Sequence, residues 1–397
     1  MAKKYNYIIV GAGVIGLSMA RALKAKNAAA QILILEKEET PAFHASSRNS
    51  GVMHAGFYYT ADSLKARLTV EGNHALVRYC EERNLPVNRC GKLVIAQTEE
   101  ELAQLSELER RGQKNGSTVE IIDAARAKEL EPNVRTYKKA LYSPHTSSID
   151  PQKICQTLKK ELEADGVEFI FNAKFLSAQG DIILTTQGDY VTDRLINCAG
   201  LYADKIAHAY GLGKKYMLLP FKGLYLKYTK NKEDVRMHLY PVPNLKNPFL
   251  GVHFTKTVDG TIKIGPTATP AFWRENYAGM QGFHLGEFCE VVGREALLFT
   301  TNAFGFRHLA LEEMRKYNKD YLIAEAAKMV QSIDPQGFTE FTRPGIRAQL
   351  LERTTNKLIQ DFVVEADKHS VHVLNAVSPA FTCSFPFAEH IVSAYLT

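Results

Sequence analysis

The stretch "YNYIIVGAGVIGLSMARALKA", residues 5–25, decides the fold. Ile8, Ile9 and Val10 form a short apolar run, as expected of a strand buried on both faces. Gly11, Gly13 and Gly16 follow in G-x-G-x-x-G spacing. The first glycine permits a tight turn, the second lets backbone approach a pyrophosphate, and the third lets a helix lie close to the strand. The helix that opens around Val14 and Ile15 directs its positive end at the phosphates. Next, "QILILEKE", residues 31–38, is a second strand ending in Glu36, twenty residues after Gly16, with Lys37 beside it. A carboxylate there can hold a ribose hydroxyl. Strand, turn, helix, strand and acid agree in order and distance, which an ordinary glycine turn does not require. A dinucleotide site at Gly11, Gly13, Val14, Ile15, Gly16, Glu36 and Lys37 is the expectation.

The rest of the chain narrows the dinucleotide. Only one such fingerprint occurs, whereas an enzyme passing electrons between flavin and nicotinamide often carries two. FAD, held permanently and reduced directly by a substrate, fits a single site followed by a long polar loop. The bulk numbers agree. With 397 residues, 45% of them hydrophobic, the chain can bury a large core and divide into two domains. Its net charge of +6 is not concentrated in runs, "GKKY" at 213–216 being among the longest pairings, so nucleic-acid binding is not expected. A small anionic substrate suits the balance, and so does a weak contact with an anionic membrane surface. The six cysteines are scattered without a C-x-x-C pair, and no H-E-x-x-H occurs; reduced thiols, a cytoplasmic setting and no metal site are expected. No apolar run reaches the length of a membrane span, so any membrane contact is peripheral, at the inner face.

The loop after the second strand carries a wider resemblance. "HASSRNSGVMHAGFYYTADSLKARLTVEG" (44–72) and "CGKLVIAQTEEEL" (90–102) are similar to the L-2-hydroxyglutarate dehydrogenase/oxidase family of the D-amino-acid-oxidase-like flavoproteins. So are "SSIDPQKI", "INCAGLYAD", "LYPVPNLKNPFLGVHFTKTVDGTIKIGP", "RPGIRAQL" and "LNAVSPAFTCS", and the likeness covers almost the whole chain. The resemblance implies an FAD-dependent enzyme that oxidises an L-2-hydroxy acid, L-2-hydroxyglutarate by default, to the 2-oxo acid, with hydride passing to flavin N5 and then to oxygen or a quinone. It implies that Ser46, Ser47, Ser50 and Gly51 let backbone pass the cofactor, that Asn49 hydrogen-bonds it, and that His44 lies near it. Departures stand at Arg48, Lys222, Leu224, Thr267, Val377 and Phe381, several of them in segments expected to line the cavity. They leave the exact substrate open. An amine or amino-acid oxidase on the same fold, and a flavin-binding protein without turnover, are the competing readings.

Oxidising a 2-hydroxy acid requires a neutral base at the hydroxyl and fixed cations for the carboxylate. Histidine suits the base because its pKa lies near working pH. His54 is the first candidate, its alternative being a structural histidine beneath the flavin. His253 alternates with Val252 and Phe254 on an apparent strand and is the second candidate, as base or carboxylate ligand. Arg347 is the expected carboxylate anchor, because a guanidinium fixes orientation as well as charge. Lys222, Tyr225 and Tyr240 are candidates for the distal end of the substrate, although sheet packing also explains each. Further cofactor contacts are expected where a strand turns at Ala199 and Gly200, in the strand 167–171, and where a helix opens at Ser378, Pro379 and Ala380.

The expected fold class is α/β (α+β overall): a Rossmann-like FAD-binding domain with a second, mainly antiparallel β-sheet substrate domain. The expected boundaries are 1–82, 148–212 and 340–397 for the first domain, and 83–147 and 213–339 for the second. Residues 285–332 read as mainly helical.

Overall fold

The apolar run of the opening stretch is β1 (Lys4–Val10), its glycine turn leads into α1 (Val14–Lys26), and "ILIL" is β2 (Ile32–Leu35). A computed structural model describes residues 3–243 and 251–396; of the family-like motif at 239–266, residues 244–250 lie outside the described residues. β1 pairs parallel with β2 on one side, Ile8 opposite Leu33, and with the strand Gly188–Asn197 on the other, Ile9 opposite Ile196. β2 continues the parallel order to the strand Glu168–Ile170. The far edge of Gly188–Asn197 is shared. Its start meets the antiparallel hairpin strand Ile182–Thr185, and its end pairs parallel with Ser370–Asn375. All four residues of β2 are buried, because helices and loops cover both faces of this sheet. α1 packs on the C-terminal helix Ala380–Tyr395 and on Pro151–Ala164.

The chain divides into two compact units, Met1–Asn49, Pro151–Pro220 and Arg347–Thr397 forming the first, Ser50–Asp150 and Phe221–Ile346 the second. Two of the crossings fall inside the strands Tyr216–Gly223 and Gly345–Glu352. The division differs from the expected boundary at 82, since 50–82 goes with unit 2. Hydrogen bonds give the reason: Asn73 Nδ2 donates to His54 O (3.1 Å) and His145 O (3.2 Å), and Asn115 Nδ2 donates to Gly56 O (2.9 Å) and Tyr59 O (3.0 Å). Side-chain amides thus stitch this segment to unit 2 on both sides.

Unit 2 is built on an eight-stranded sheet. Its pairs are antiparallel except one, where Lys92–Ile95 runs parallel to His238–Pro241 with Lys92 opposite His238. Alternation divides the faces. Leu93, Ile95, Leu239, Phe254, Ile262 and Ile264 belong to one buried apolar cluster, with Leu322, Ile323 and Ala326 of the helix Lys319–Ala327 packed on it. Their neighbours Lys92, His238, Tyr240 and His253 therefore occupy the opposite face. The 285–332 segment is helical as expected, in Leu285–Thr301, Phe306–Arg315 and Lys319–Ala327. Among the described residues no helix is long and apolar enough to cross a membrane.

Candidate functional site

In unit 1 the site is made by backbone. Gly11 has φ +106°, and a Cβ there would sit 2.6 Å from Cys198 O; a Cβ at Gly16 would collide with Gly11 O. The turn is thus closed on one side by the end of strand Gly188–Asn197 and on the other by its own helix. Gly13 at the start of α1 offers no side-chain cap, and Val14 N donates instead to Ser46 Oγ (2.9 Å), so the polar loop is anchored at the helix start. Glu36 is buried at the end of β2, its carboxylate accepting from Ala12 N (2.8 Å) and Glu38 N (3.0 Å). Burial pushes its pKa up while these two donors pull it back. Glycines admitting close backbone approach, a helix start at the turn and a buried carboxylate fit the pyrophosphate and ribose of FAD.

The loop residues have local partners that the sequence did not reveal. His44 Nε2 pairs with Glu38 Oε1 (2.8 Å), and Lys37 pairs with the same carboxylate, which holds Glu38 below the usual carboxylate range. Asn49 Nδ2 donates to Ala45 O (3.2 Å) and Ser46 O (2.9 Å), Ser47 N donates to His44 O (3.2 Å), and Arg48 Nε donates to Phe43 O (2.9 Å). Ser50 Oγ accepts from Val52 N (3.3 Å), and Gly51 O accepts from Ile149 N (2.9 Å). Ala199 N donates to Asn197 Oδ1 (3.1 Å), and Gly200 turns at φ +53°. The helix expected at Ser378–Pro379 begins at Ala380, whose N–H donates to Val377 O (3.1 Å).

Side chains make the site in unit 2. His253 is 3% exposed and stacks on Tyr240, the ring centroids 3.7 Å apart and 18° from parallel, with Tyr225 edge-on at 6.4 Å. His253 Nδ1 lies 2.8 Å from Gly251 O. A carbonyl can only accept, so Nδ1 carries the hydrogen and, in the neutral ring, Nε2 carries the lone pair. His54 is also buried, at the end of the short strand Val52–Met53. Lys222 Nζ donates to Asn276 Oδ1 (3.3 Å), and partial burial lowers its pKa. Thr267 has a structural job: its Oγ1 donates to Lys222 O (3.0 Å) and accepts from Leu224 N (3.0 Å). Arg347 is half-buried in the strand Gly345–Glu352 and counts with unit 1.

Two groups escaped the sequence reading. Lys92 is fully buried, and its Nζ, which has no hydrogen-bond partner among the described residues, lies 3.9 Å from the Tyr240 ring centroid. Burial brings its pKa down to about 7. His238, on the adjacent strand, is fully buried too and held well below the usual histidine range, by desolvation first and by the neighbouring charge of Lys92 second. The available signal was a lysine standing inside an apolar strand, "KLVI".

The two-unit fold and the glycine cradle are those of an FAD-dependent oxidoreductase. Residues 6–394 match the DAO family model, FAD dependent oxidoreductase. A protein of Escherichia coli K12 named L-2-hydroxyglutarate dehydrogenase is 34% identical over 99% of this chain and 93% of its own. One of the same name from Indibacter alkaliphilus is 34% identical over 96% of both chains. Among solved structures, FAD-bound L-alpha-glycerophosphate oxidase of Mycoplasma pneumoniae superposes with a TM-score of 0.77 at 21% identity, over 98% of this chain and 94% of that one, a likeness of fold alone. The chain belongs to the DAO family of FAD-dependent oxidoreductases, alongside the relatives named L-2-hydroxyglutarate dehydrogenase.

Proposed function

We propose that this protein oxidises L-2-hydroxyglutarate to the 2-oxo acid, with unit 1 holding FAD and unit 2 supplying the base. FAD when bound supplies the hydride acceptor. The observation that carries the reading is the His253 hydrogen bond to Gly251 O, which sets the tautomer of a buried ring with its lone pair at Nε2. His253 takes the hydroxyl proton at Nε2, and stacking on Tyr240 fixes the plane of the imidazole. His54 is a structural neighbour in this reading. Arg347 binds the carboxylate next to the reacting carbon as a bidentate fork. Lys222, with an ammonium already partly stripped of water, takes the distal carboxylate, and Tyr225 lines the cavity beside His253. In unit 1, Ser46 fixes the loop to the start of α1, and Ala380 begins a helix whose amides favour negative charge on the flavin.

The electron acceptor in this reading is oxygen or a quinone. Exposed Leu297, Phe299, Phe304, Leu311 and Met314 on the helices of 285–315 support a peripheral membrane contact for a cytoplasmic protein. The test is anaerobic addition of L-2-hydroxyglutarate to the holoprotein while absorbance near ~450 nm is followed. Bleaching by the L- and not the D-isomer is the expected result. A flavin bleached only by amino acids, with ammonia released, would overturn it in favour of an amino-acid oxidase.

A further inference from the structure

The second face of the unit 2 sheet holds more basic groups than the proposed reaction uses. Register places Lys92 opposite His238, with Tyr240 two residues further along the same face, and His253 stacks on Tyr240. Lys92 Nζ lies 3.9 Å from the Tyr240 centroid, 5.3 Å from Tyr58 and 5.8 Å from Phe57. An ammonium is rarely buried whole without an anion, and a carboxylate is the usual partner. Here the groups facing it are Cys90 from the segment just before its strand, His238 and Tyr240 from the next strand, Ser143 from the strand on the other side, and the rings of Phe57 and Tyr58. Around His238 the interacting charges are Lys92, His253 and His54. Among the described residues no carboxylate pairs with either group. Three aromatic faces stabilise the cation in place of an acid. An acid here would draw a proton onto the neighbouring imidazoles. A cation does the reverse.

We propose that Lys92 is a positioning residue for the base, its buried ammonium acting across Tyr240 to keep the His253 imidazole neutral. The inference rests on the reading of His253 as base. The two ring distances, 3.9 Å and 3.7 Å, put the ammonium within about 8 Å of the imidazole. At an effective dielectric of ~20, that separation disfavours a second positive charge by about one pH unit or slightly more. The pH window fits the task. Lys92 titrates near about 7, so it carries its charge below that pH, where an ordinary histidine would be gaining a proton. His253 itself faces Tyr240, Tyr225 and the Gly251 carbonyl.

The experiment uses holoprotein labelled with carbon-13 at histidine Cε1. The His253 resonance is identified by its loss in His253→Asn and titrated from pH 5 to pH 9 in the parent protein and in Lys92→Met. The expected result is a midpoint higher by about one pH unit in Lys92→Met, with the acid limb of flavin reduction moving the same way. An unmoved midpoint in folded, yellow Lys92→Met would overturn the proposal and leave Lys92 as a packing residue. If Lys92→Met does not fold, Lys92→Gln, which keeps chain length and a polar end, is read identically. The titration needs no turnover. A shifted midpoint in a protein that no hydroxy acid reduces would sustain the electrostatic coupling while refuting the proposed function.

Discussion

Two sheets in this protein solve the same problem differently. Each buries an apolar face, but the sheet of unit 1 is apolar on both sides at β1 and β2, with Ile8, Ile9, Leu33 and Ile34 wholly buried. Chemistry is then left to the strand ends, where backbone emerges at Gly11 and Glu36. The sheet of unit 2 packs one face as an apolar cluster and sets Lys92, His238, Tyr240 and His253 on the other, beside apolar Val94 and Leu141. Polar side chains inside a sheet cost desolvation, so they persist where a task needs them. The first sheet works through its backbone, the second through its side chains.

The comparison breaks most visibly at Gly16. A Cβ there collides with Gly11 O, backbone that cannot step aside. Gly16→Val is expected to remove bound FAD altogether and to destabilise unit 1 by more than about 3 kcal/mol. Absorbance near ~450 nm and a thermal melt would read both. A yellow, stable Gly16→Val would mean that backbone approach at this turn is not what holds the cofactor. The converse is expected of unit 2, where His253→Asn should keep its flavin and lose about 10²–10⁴-fold in the rate of flavin reduction. If His54→Asn loses that rate and His253→Asn keeps it, the roles given to the two histidines exchange.

This difference explains what could be read from the sequence. Backbone chemistry is written in glycine spacing over a short segment, so Gly11, Gly13, Gly16 and Glu36 were legible before any fold was known. The alternation of Val252, His253 and Phe254 likewise predicted which way His253 points, and the apolar cluster holding Phe254 on the other face agrees. Lys92 and His238 are 146 positions apart in the chain but opposite each other in the sheet. Only the parallel register joins them, and register is a long-range property. The loop 42–51 read as cofactor-facing through its resemblance to the flavoprotein family. Its hydrogen bonds, such as Asn49 Nδ2 to Ser46 O, were hidden because local side-chain to backbone bonds leave no periodic trace. The boundary at 82 was placed where the alternation of strands and helices gives way to strands and proline turns. The side-chain amides of Asn73 and Asn115 carry the segment into unit 2.

A third test compares histidines. His372, fully buried in the strand Ser370–Asn375 of unit 1, has both ring nitrogens engaged, Nδ1 with Asn197 Nδ2 (3.0 Å) and Nε2 with Ser370 Oγ (2.9 Å). Burial lowers its pKa from 6.5 to about 4. The unfolded chain takes up its proton near 6.5 and the folded chain near about 4, so folding is favoured fully above 6.5 and loses ground as pH falls between the two. The loss should reach about 2–3 kcal/mol at the lower end. Urea unfolding at pH 7 and pH 5 measures it, and His372→Gln should flatten that part of the dependence. A His372→Gln protein with the parent's full pH dependence would assign the titration to another group.

The smallest effect sharpens the comparison inside unit 2. Thr267 is 2% exposed, and its hydroxyl joins Leu224 N to Lys222 O across a turn. Thr267→Val keeps the shape and removes the hydroxyl. Lys222 O retains Thr269 Oγ1 at 3.3 Å, but Leu224 N loses the acceptor that Thr267 supplied. One part-buried donor left unsatisfied costs about 1–2 kcal/mol, which a urea midpoint resolves. The functional consequence is separable from that cost. Lys222 stands on the strand end that the hydroxyl braces, so loosening the turn should weaken binding of a substrate with a distal carboxylate by about 3–10-fold while the limiting rate of flavin reduction, set at His253, is unchanged. A fall in the limiting rate with binding intact would mean that the turn supports the base, and that the two ends of this polar face act as one unit.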